Sequence, residues 1–369
     1  MNILIPSSSF FPAQEGGPSN TLYWLASGLA ANGHVVKVVT TNRYITDPTI
    51  VFDKWIKLNG FDVIYTTNKE LKKQLLDQSL GDCDLVIANG LCVLSNFIFN
   101  LKALSQDKKV IISPRGELLA SAVFHKGRLY GWIKELLFCI MRVAYGKRVL
   151  YQATSEDESR SIKKYMGEKA RVCIIPNYMI LPKKRERDKE NSYLLYVGRI
   201  NQIKNLDILI ESVGASDSFR QSNYKLLIAG EKKGEYYLSL KRRLEELGLS
   251  ERVVFLGLIV GEEKDYLYAN AKCLLLLSKS ENFGNVVIEA LAQGTPVIVS
   301  TGTPWESVAY KEAGYWVEAT VDEVTKAIEE FLSMSNDDYN KMRKNALALS
   351  KEYDIYSNMY KWESLLNSL

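Results

Sequence analysis

The sequence predicts an α/β protein made of two doubly wound, Rossmann-like parallel-sheet domains facing each other. Three observations carry this. Short, continuously apolar, β-branched runs alternate with segments of helical period, as buried parallel strands do when crossover helices join them. The alternation breaks once, over the charged and aperiodic residues 181–192, and then restarts. The length, 369 residues, suits two or three ordinary domains. The domains are therefore expected at residues 1–180 and from residue 191 onward.

The elements follow in order. Asn2–Ile5 reads as the first strand. Pro18–Ala31 places Leu22, Leu25, Ala26 and Leu29 at helical spacing, and Asn32-Gly33 ends it as a C-cap. Val35–Thr40, Leu85–Ala88, Val110–Ser113, Val149–Ala153 and Val172–Ile175 read as further strands. After the break, strands are expected at Tyr193–Val197, Lys225–Ala229, Val253–Leu256, Cys273–Leu277 and Val297–Ser300. Helices at Leu206–Val213, Glu235–Leu247, Glu262–Asn270 and Val286–Gln293 connect them, and Val321–Met334, Asp337–Lys351 and Ile355–Leu369 close the chain. Ligands of such sheets bind at the carboxyl ends of the strands, so the site is expected there, in the cleft between the domains.

Composition excludes several classes. Hydrophobic residues are 47% and charged residues 24%, which is neither disordered nor fibrous. A net charge of +4 is too small to make nucleic acid the expected partner. Residues 1–180 hold 22 Lys/Arg against 15 Asp/Glu, so an anionic ligand or surface fits that half better. Five scattered cysteines without a C-x-x-C spacing argue against a disulfide framework or zinc site and suit a reducing, cytoplasmic setting. His34 and His125 are the only histidines, too few for a His-rich metal centre. Neither a signal peptide nor a membrane-spanning run is expected.

The strongest chemical signal is Glu281-Asn282-Phe283-Gly284-Asn285, followed by Val286, Val287, Ile288 and Glu289. It comes after a strand and opens a helix at about Asn285, with Gly284 supplying the turn. A helix N-terminus offers free N–H groups and partial positive charge, which suits phosphate. Two carboxylates eight residues apart around that turn suit a ligand with hydroxyls at both ends and phosphate between. A nucleotide sugar is such a ligand. Arg199 and Lys204 lie just beyond a strand end, where two cations can neutralise a diphosphate without a metal ion. Gly16-Gly17 lets the main chain approach a ligand closely. Arg115, in Ser113-Pro114-Arg115-Gly116, is expected to face the cleft, on donor or acceptor.

On these residues the chain resembles the retaining family-4 glycosyltransferases. Glu281–Glu289 matches their E-x7-E motif, and Ala292-Gln293-Gly294-Thr295-Pro296 continues the match. Gly198-Arg199 with Lys204 looks like their G-R…K segment, and Glu15-Gly16-Gly17 like their glycine-rich loop. The resemblance implies the GT-B fold, with the last helix (355–369) crossing back onto an acceptor-binding domain 1–180. Residues 191–354 would then bind the nucleotide sugar. It implies that Arg199 and Lys204 grip the diphosphate, Glu281 the donor sugar and Glu289 the ribose. Backbone near Leu258 and Ile259 would hold the base, and Asn282, Phe283, Gly284 and Asn285 would meet sugar and phosphate. It further implies a nucleoside-diphosphate sugar as donor substrate, no cofactor and no metal, and a glycan acceptor, lipid-linked, in bacterial surface polysaccharide synthesis. A same-fold epimerase or a non-catalytic scaffold are the alternatives.

Two features stay open at this level. Residues 125–148 mix cations with apolar residues, and read either as a basic amphipathic helix on the inner face of an anionic membrane or as a packed helix with a solvated face. The family's G-G-x-P-E pattern appears here as Thr301-Gly302-Thr303-Pro304-Trp305-Glu306, and the bulky Trp305 either contacts the donor sugar or packs.

Overall fold

The computed structural model describes residues 1–13, 17–45, 47–92, 94–123, 128–188 and 193–369. These form two compact units. Unit 1 is Met1–Ile180 with Asp354–Leu369, and unit 2 is Leu181–Tyr353.

Unit 1 runs β1 (Asn2–Pro6), α1 (Gly17–Ala31), β2 (Val35–Thr41), β3 (Ile56–Leu58), β4 (Phe61–Thr66), α2 (Lys69–Asp82), β5 (Leu85–Asn89) and α3 (Leu94–Ser105). It continues with β6 (Lys109–Ser113), α4 (Ala120–Val123), α5 (Arg128–Tyr145), β7 (Val149–Ala153), α6 (Glu156–Met166) and β8 (Arg171–Ile174). The eight strands lie in the order β3-β4-β2-β1-β5-β6-β7-β8, parallel except for the β3–β4 pair. The central strands are buried on both faces, as in β1, where Ile3, Leu4 and Ile5 are all covered.

Unit 2 runs β9 (Tyr193–Val197), α7 (Leu206–Ala215), α8 (Asp217–Gln221), β10 (Lys225–Ala229), α9 (Glu235–Glu246), β11 (Val253–Gly257) and α10 (Gly261–Asn270). Then come β12 (Cys273–Leu276), α11 (Asn285–Ala292), β13 (Val297–Ser300), α12 (Ser307–Tyr310), β14 (Gly314–Val317), α13 (Val321–Ser333) and α14 (Asn336–Lys351). Its six strands lie in the order β11-β10-β9-β12-β13-β14, all parallel. The order reverses between β9 and β12, which makes their carboxyl ends the switch point where such sheets bind ligands.

Several elements differ from the sequence reading. The β3–β4 hairpin is absent from it, although Asn59 and Gly60 both take left-handed backbone (φ 44° and 88°), the turn that an Asn-Gly pair favours. Helices α2 and α6 are also absent, because both are largely polar; α2 buries only Ser79 and Leu80 and shows no apolar stripe. Helices α3, α4, α8 and α12 and strand β14 are further additions. The charged stretch is not a free linker over residues 181–188. The Arg185 N–H donates to Gln293 Oε1 (2.8 Å), Gln293 Nε2 to Lys183 O (3.1 Å), and the Asp188 N–H to Asn270 Oδ1 (2.7 Å). These bonds fasten it to unit 2.

The chain returns to unit 1 for its last helix, α15 (Ile355–Asn367). Asp354 caps it, accepting from the Ser357 N–H at 2.9 Å, and the Ile355 N–H donates to Met179 O at 2.9 Å. The helix lies on α1 at Gly28, where an added Cβ would come within 2.6 Å of Met359 Sδ and 2.8 Å of Ile355 Cγ1. His34 Nε2 meets Glu363 Oε1 at 2.9 Å at the end of α1. Gly28→Val should therefore overpack this contact and cost unit 1 about 1–3 kcal/mol in urea unfolding. Faster proteolysis of the C-terminal helix should accompany the loss, and unchanged unfolding would show that α15 docks elsewhere.

Candidate active site

At the switch point two loops meet. After β9 the chain forms a single 3-10 turn, Gln202–Lys204, closed by Asn205 in left-handed conformation (φ 52°). After β12 it runs through Ser278 to Glu281. Two hydrogen bonds join the loops: Asn205 Nδ2 donates to Leu277 O (2.8 Å), and the Lys279 N–H to Ile203 O (2.8 Å). They bring Lys204 and Glu281, 77 residues apart, into a direct ion pair through Glu281 Oε2. The two side chains are only 11% and 18% exposed. Ser278 Oγ also donates to Glu281 Oε2, at 3.1 Å.

Lys204 is held by Glu281, whereas Arg199 is exposed, with its carbonyl fixed by the Tyr196 hydroxyl at 2.8 Å. Beside Lys204, the buried amide oxygens Asn201 Oδ1 and Asn205 Oδ1 have no hydrogen-bond partner among the described residues. Buried acceptors left unmet are costly, and they mark places where a ligand donor fits.

Gly284 caps α11 in left-handed conformation (φ 86°), and an added Cβ there would press on Leu276, Glu281 and Trp305. Asn285 opens the helix, and Asn282 and Phe283 form the turn before it. Trp305 is fully buried: its indole N–H donates to Phe283 O, and its ring meets those of Phe283 (5.3 Å) and Tyr353 (5.0 Å). It packs, which settles the open reading. Glu289 points from α11 to α10, not to Glu281. Its carboxylate accepts from Lys264 Nζ (2.9 Å) and the Tyr268 hydroxyl (2.7 Å). Burial and the Glu289 charge push the Tyr268 phenol far above its usual range, so it stays a donor. Leu258, exposed, and Ile259 follow β11, two strands from β9, a lateral step of about 10 Å.

In unit 1, Arg115 follows β6 in left-handed conformation (φ 54°), a strained position for a residue with a side chain. Its Nε donates to Asn89 Oδ1 (3.1 Å) and its Nη1 to Asn177 Oδ1. Burial pushes the guanidinium down to about 10, against the opposing charge of Glu158. Glu158 itself accepts from the Gly116 N–H (2.5 Å) and from the Thr154 N–H and hydroxyl (2.7 Å each). Gly17 opens α1 at the surface, while Gly16 and His125 lie outside the described residues.

A family model described as "Glycosyl transferases group 1" matches residues 179–348. That segment is a glycosyl transferases group 1 domain. The chain is 35% identical over 129 residues to the uncharacterized glycosyltransferase MJ1607 of Methanocaldococcus jannaschii, a match covering 35% of this chain and 32% of that protein. It thus spans about a third of that relative's length. It is 22% identical to the GDP-mannose:cellobiosyl-diphosphopolyprenol alpha-mannosyltransferase of Xanthomonas campestris, over 96% of this chain and 93% of that one. Among solved structures, Anabaena HepE in complex with UDP and glucose superposes with a TM-score of 0.75 at 15% identity, covering both chains fully. That likeness establishes the GT-B fold.

Within the group 1 domain, the sequence reading omits Lys264, Tyr268, Asn201 and Ser278. Lys264 and Tyr268 stand one helical turn apart on α10, a spacing that signals a shared face but not what the face meets. Among the described residues, no three His, Cys, Asp or Glu side chains gather where they could hold a metal ion. Because Trp305 packs, Trp305→Phe should destabilise unit 2 by about 1–3 kcal/mol through the lost indole bond and volume. Nucleotide-sugar affinity should stay within a few-fold of native in calorimetry, and a large selective loss would return Trp305 to the sugar.

Proposed function

We propose that the chain is a retaining glycosyltransferase. It moves a sugar from a nucleoside-diphosphate sugar to a hydroxyl of a glycan acceptor. The observation that carries this is the joined pair Lys204–Glu281 at the switch point of a group 1 domain, a cation for the diphosphate beside a carboxylate for sugar hydroxyls. Glu289, held by Lys264 and Tyr268, suits the ribose hydroxyls one helix away. Backbone at Leu258 and Ile259 is at the right remove for the base.

The chemistry follows from charge. As the glycosidic bond to the diphosphate breaks, negative charge grows on the leaving oxygen. Arg199 and Lys204 stabilise it, and the sugar hydroxyls take the place of Lys204 on Glu281. The leaving phosphate accepts the acceptor hydroxyl's proton on the same face, so the acceptor oxygen enters where the phosphate left and configuration is retained. Two protein cations serve the diphosphate, which supports transfer without a metal ion. The acceptor reading as a lipid-linked glycan of a bacterial surface polysaccharide is supported by the Xanthomonas relative, whose name carries a diphosphopolyprenol acceptor. It also accords with the positive charge of residues 1–180 and a cytoplasmic setting at the membrane's inner face.

The test is thermal unfolding against a panel of nucleotide sugars in EDTA, followed by transfer assays. One donor should raise the midpoint by several degrees at saturating concentration. The shift should vanish in Glu281→Ala. Arg199→Ala and Lys204→Ala should each lower turnover about 10²–10³-fold, with the product's anomeric configuration retained by NMR. No shift with any donor, or near-native transfer by both variants, contradicts the proposal.

A further inference from the structure

Helix α5 has two apolar faces. Phe138, Met141 and Tyr145 are buried in the core of unit 1. The opposite face points outward: Leu129, Trp132, Ile133, Leu136, Ile140 and Val143 are each 51% to 84% exposed. At 3.6 residues per turn these six fall within an arc of roughly 100°, and no charged residue of α5 falls inside it. Helix α3, which meets α5 through the Phe97–Tyr145 ring pair (5.4 Å), exposes Leu94 and Ile98. A stripe of this size is unusual on a free surface and marks an interaction site.

The surrounding charge selects the partner. Arg142, Lys147 and Arg148 are exposed at the C-terminal end of the helix. An anionic headgroup layer complements these cations. We propose that α5 lies in the plane of an anionic lipid surface, with the six apolar side chains in the acyl boundary and the cations among the headgroups. This takes up one of the two readings left open for residues 125–148 and names the six apolar side chains that would enter the lipid. The inference stands on α5 alone and is independent of the reaction proposed for unit 2.

Cys139 lies at the rim of the stripe and is the one exposed thiol among the described residues. A polarity-sensitive fluorophore on Cys139 and vesicle sedimentation test the proposal together, using phosphatidylcholine vesicles with and without phosphatidylglycerol. The chain should sediment with the mixed vesicles, and the label should shift to the blue. Leu136→Glu with Ile140→Glu, both at exposed positions, should weaken partitioning about ten-fold or more. Lys147→Gln with Arg148→Gln should weaken it several-fold, and only where phosphatidylglycerol is present. A chain that stays in the supernatant with an unshifted label overturns the proposal, as does native partitioning by the double Glu variant. So does a solution dimer that the same variant dissociates, which would make a second copy the occupant. The nucleotide-sugar thermal shift, measured on the same variants, reports separately on unit 2.

Discussion

The candidate site depends on the seam between the loops after β9 and β12. These strands are neighbours from opposite halves of a doubly wound sheet, so nothing in the chain between them forces their loops together. Two 2.8 Å hydrogen bonds do so, one from the Asn205 side chain and one from the Lys279 backbone. The left-handed turn at Asn205 then aims Lys204 at Glu281. A mostly covered ion pair contributes little net stability, because desolvation offsets much of the attraction. Its value is positional: it holds a cation and a carboxylate side by side before any ligand arrives, which is the arrangement a sugar diphosphate needs.

The same principle recurs elsewhere in the fold. Glu289 is covered and held by a lysine and a tyrosine from the adjacent helix. In unit 1, Glu158 is covered and satisfied by two backbone N–H groups and a hydroxyl, and Arg115 is clamped by two asparagine oxygens. Glu117 accepts from the N–H groups of Leu91 and Cys92. In each case a charged group near the carboxyl edge of a sheet is fixed by at least one partner from a neighbouring loop or helix. The sheets act as frames, and the functional groups are positioned by bonds across their upper edges.

Much of this frame is legible in the sequence. Continuous apolar runs such as Leu194–Tyr196 mark strands buried on both faces, and the Gly284 turn marks the start of α11 within a residue. Motif spacing picks out Lys204, Glu281 and Glu289. It leaves their partners unread, because Lys264 and Tyr268 reach Glu289 only through the packing of α10 on α11. Trp305 is ambiguous until its three-ring contact is seen. In α5 the mixture of cations and apolar residues is legible, but the division into a buried and an exposed apolar face shows only once the helix is packed. The polar helix α2 carries no apolar stripe strong enough to read, whereas α6 does carry one, Ile162, Tyr165 and Met166 at i, i+3, i+4 spacing, which the sequence reading passes over.

The central claim is that Lys204 serves the diphosphate and Glu281 the sugar. Calorimetry with a bare nucleoside diphosphate and with the matching nucleotide sugar, on Lys204→Met and Glu281→Gln, tests it most directly. The account requires Lys204→Met to weaken both ligands and Glu281→Gln to weaken only the nucleotide sugar. Equal loss of both ligands in Glu281→Gln, or native affinity for both in Lys204→Met, would contradict it.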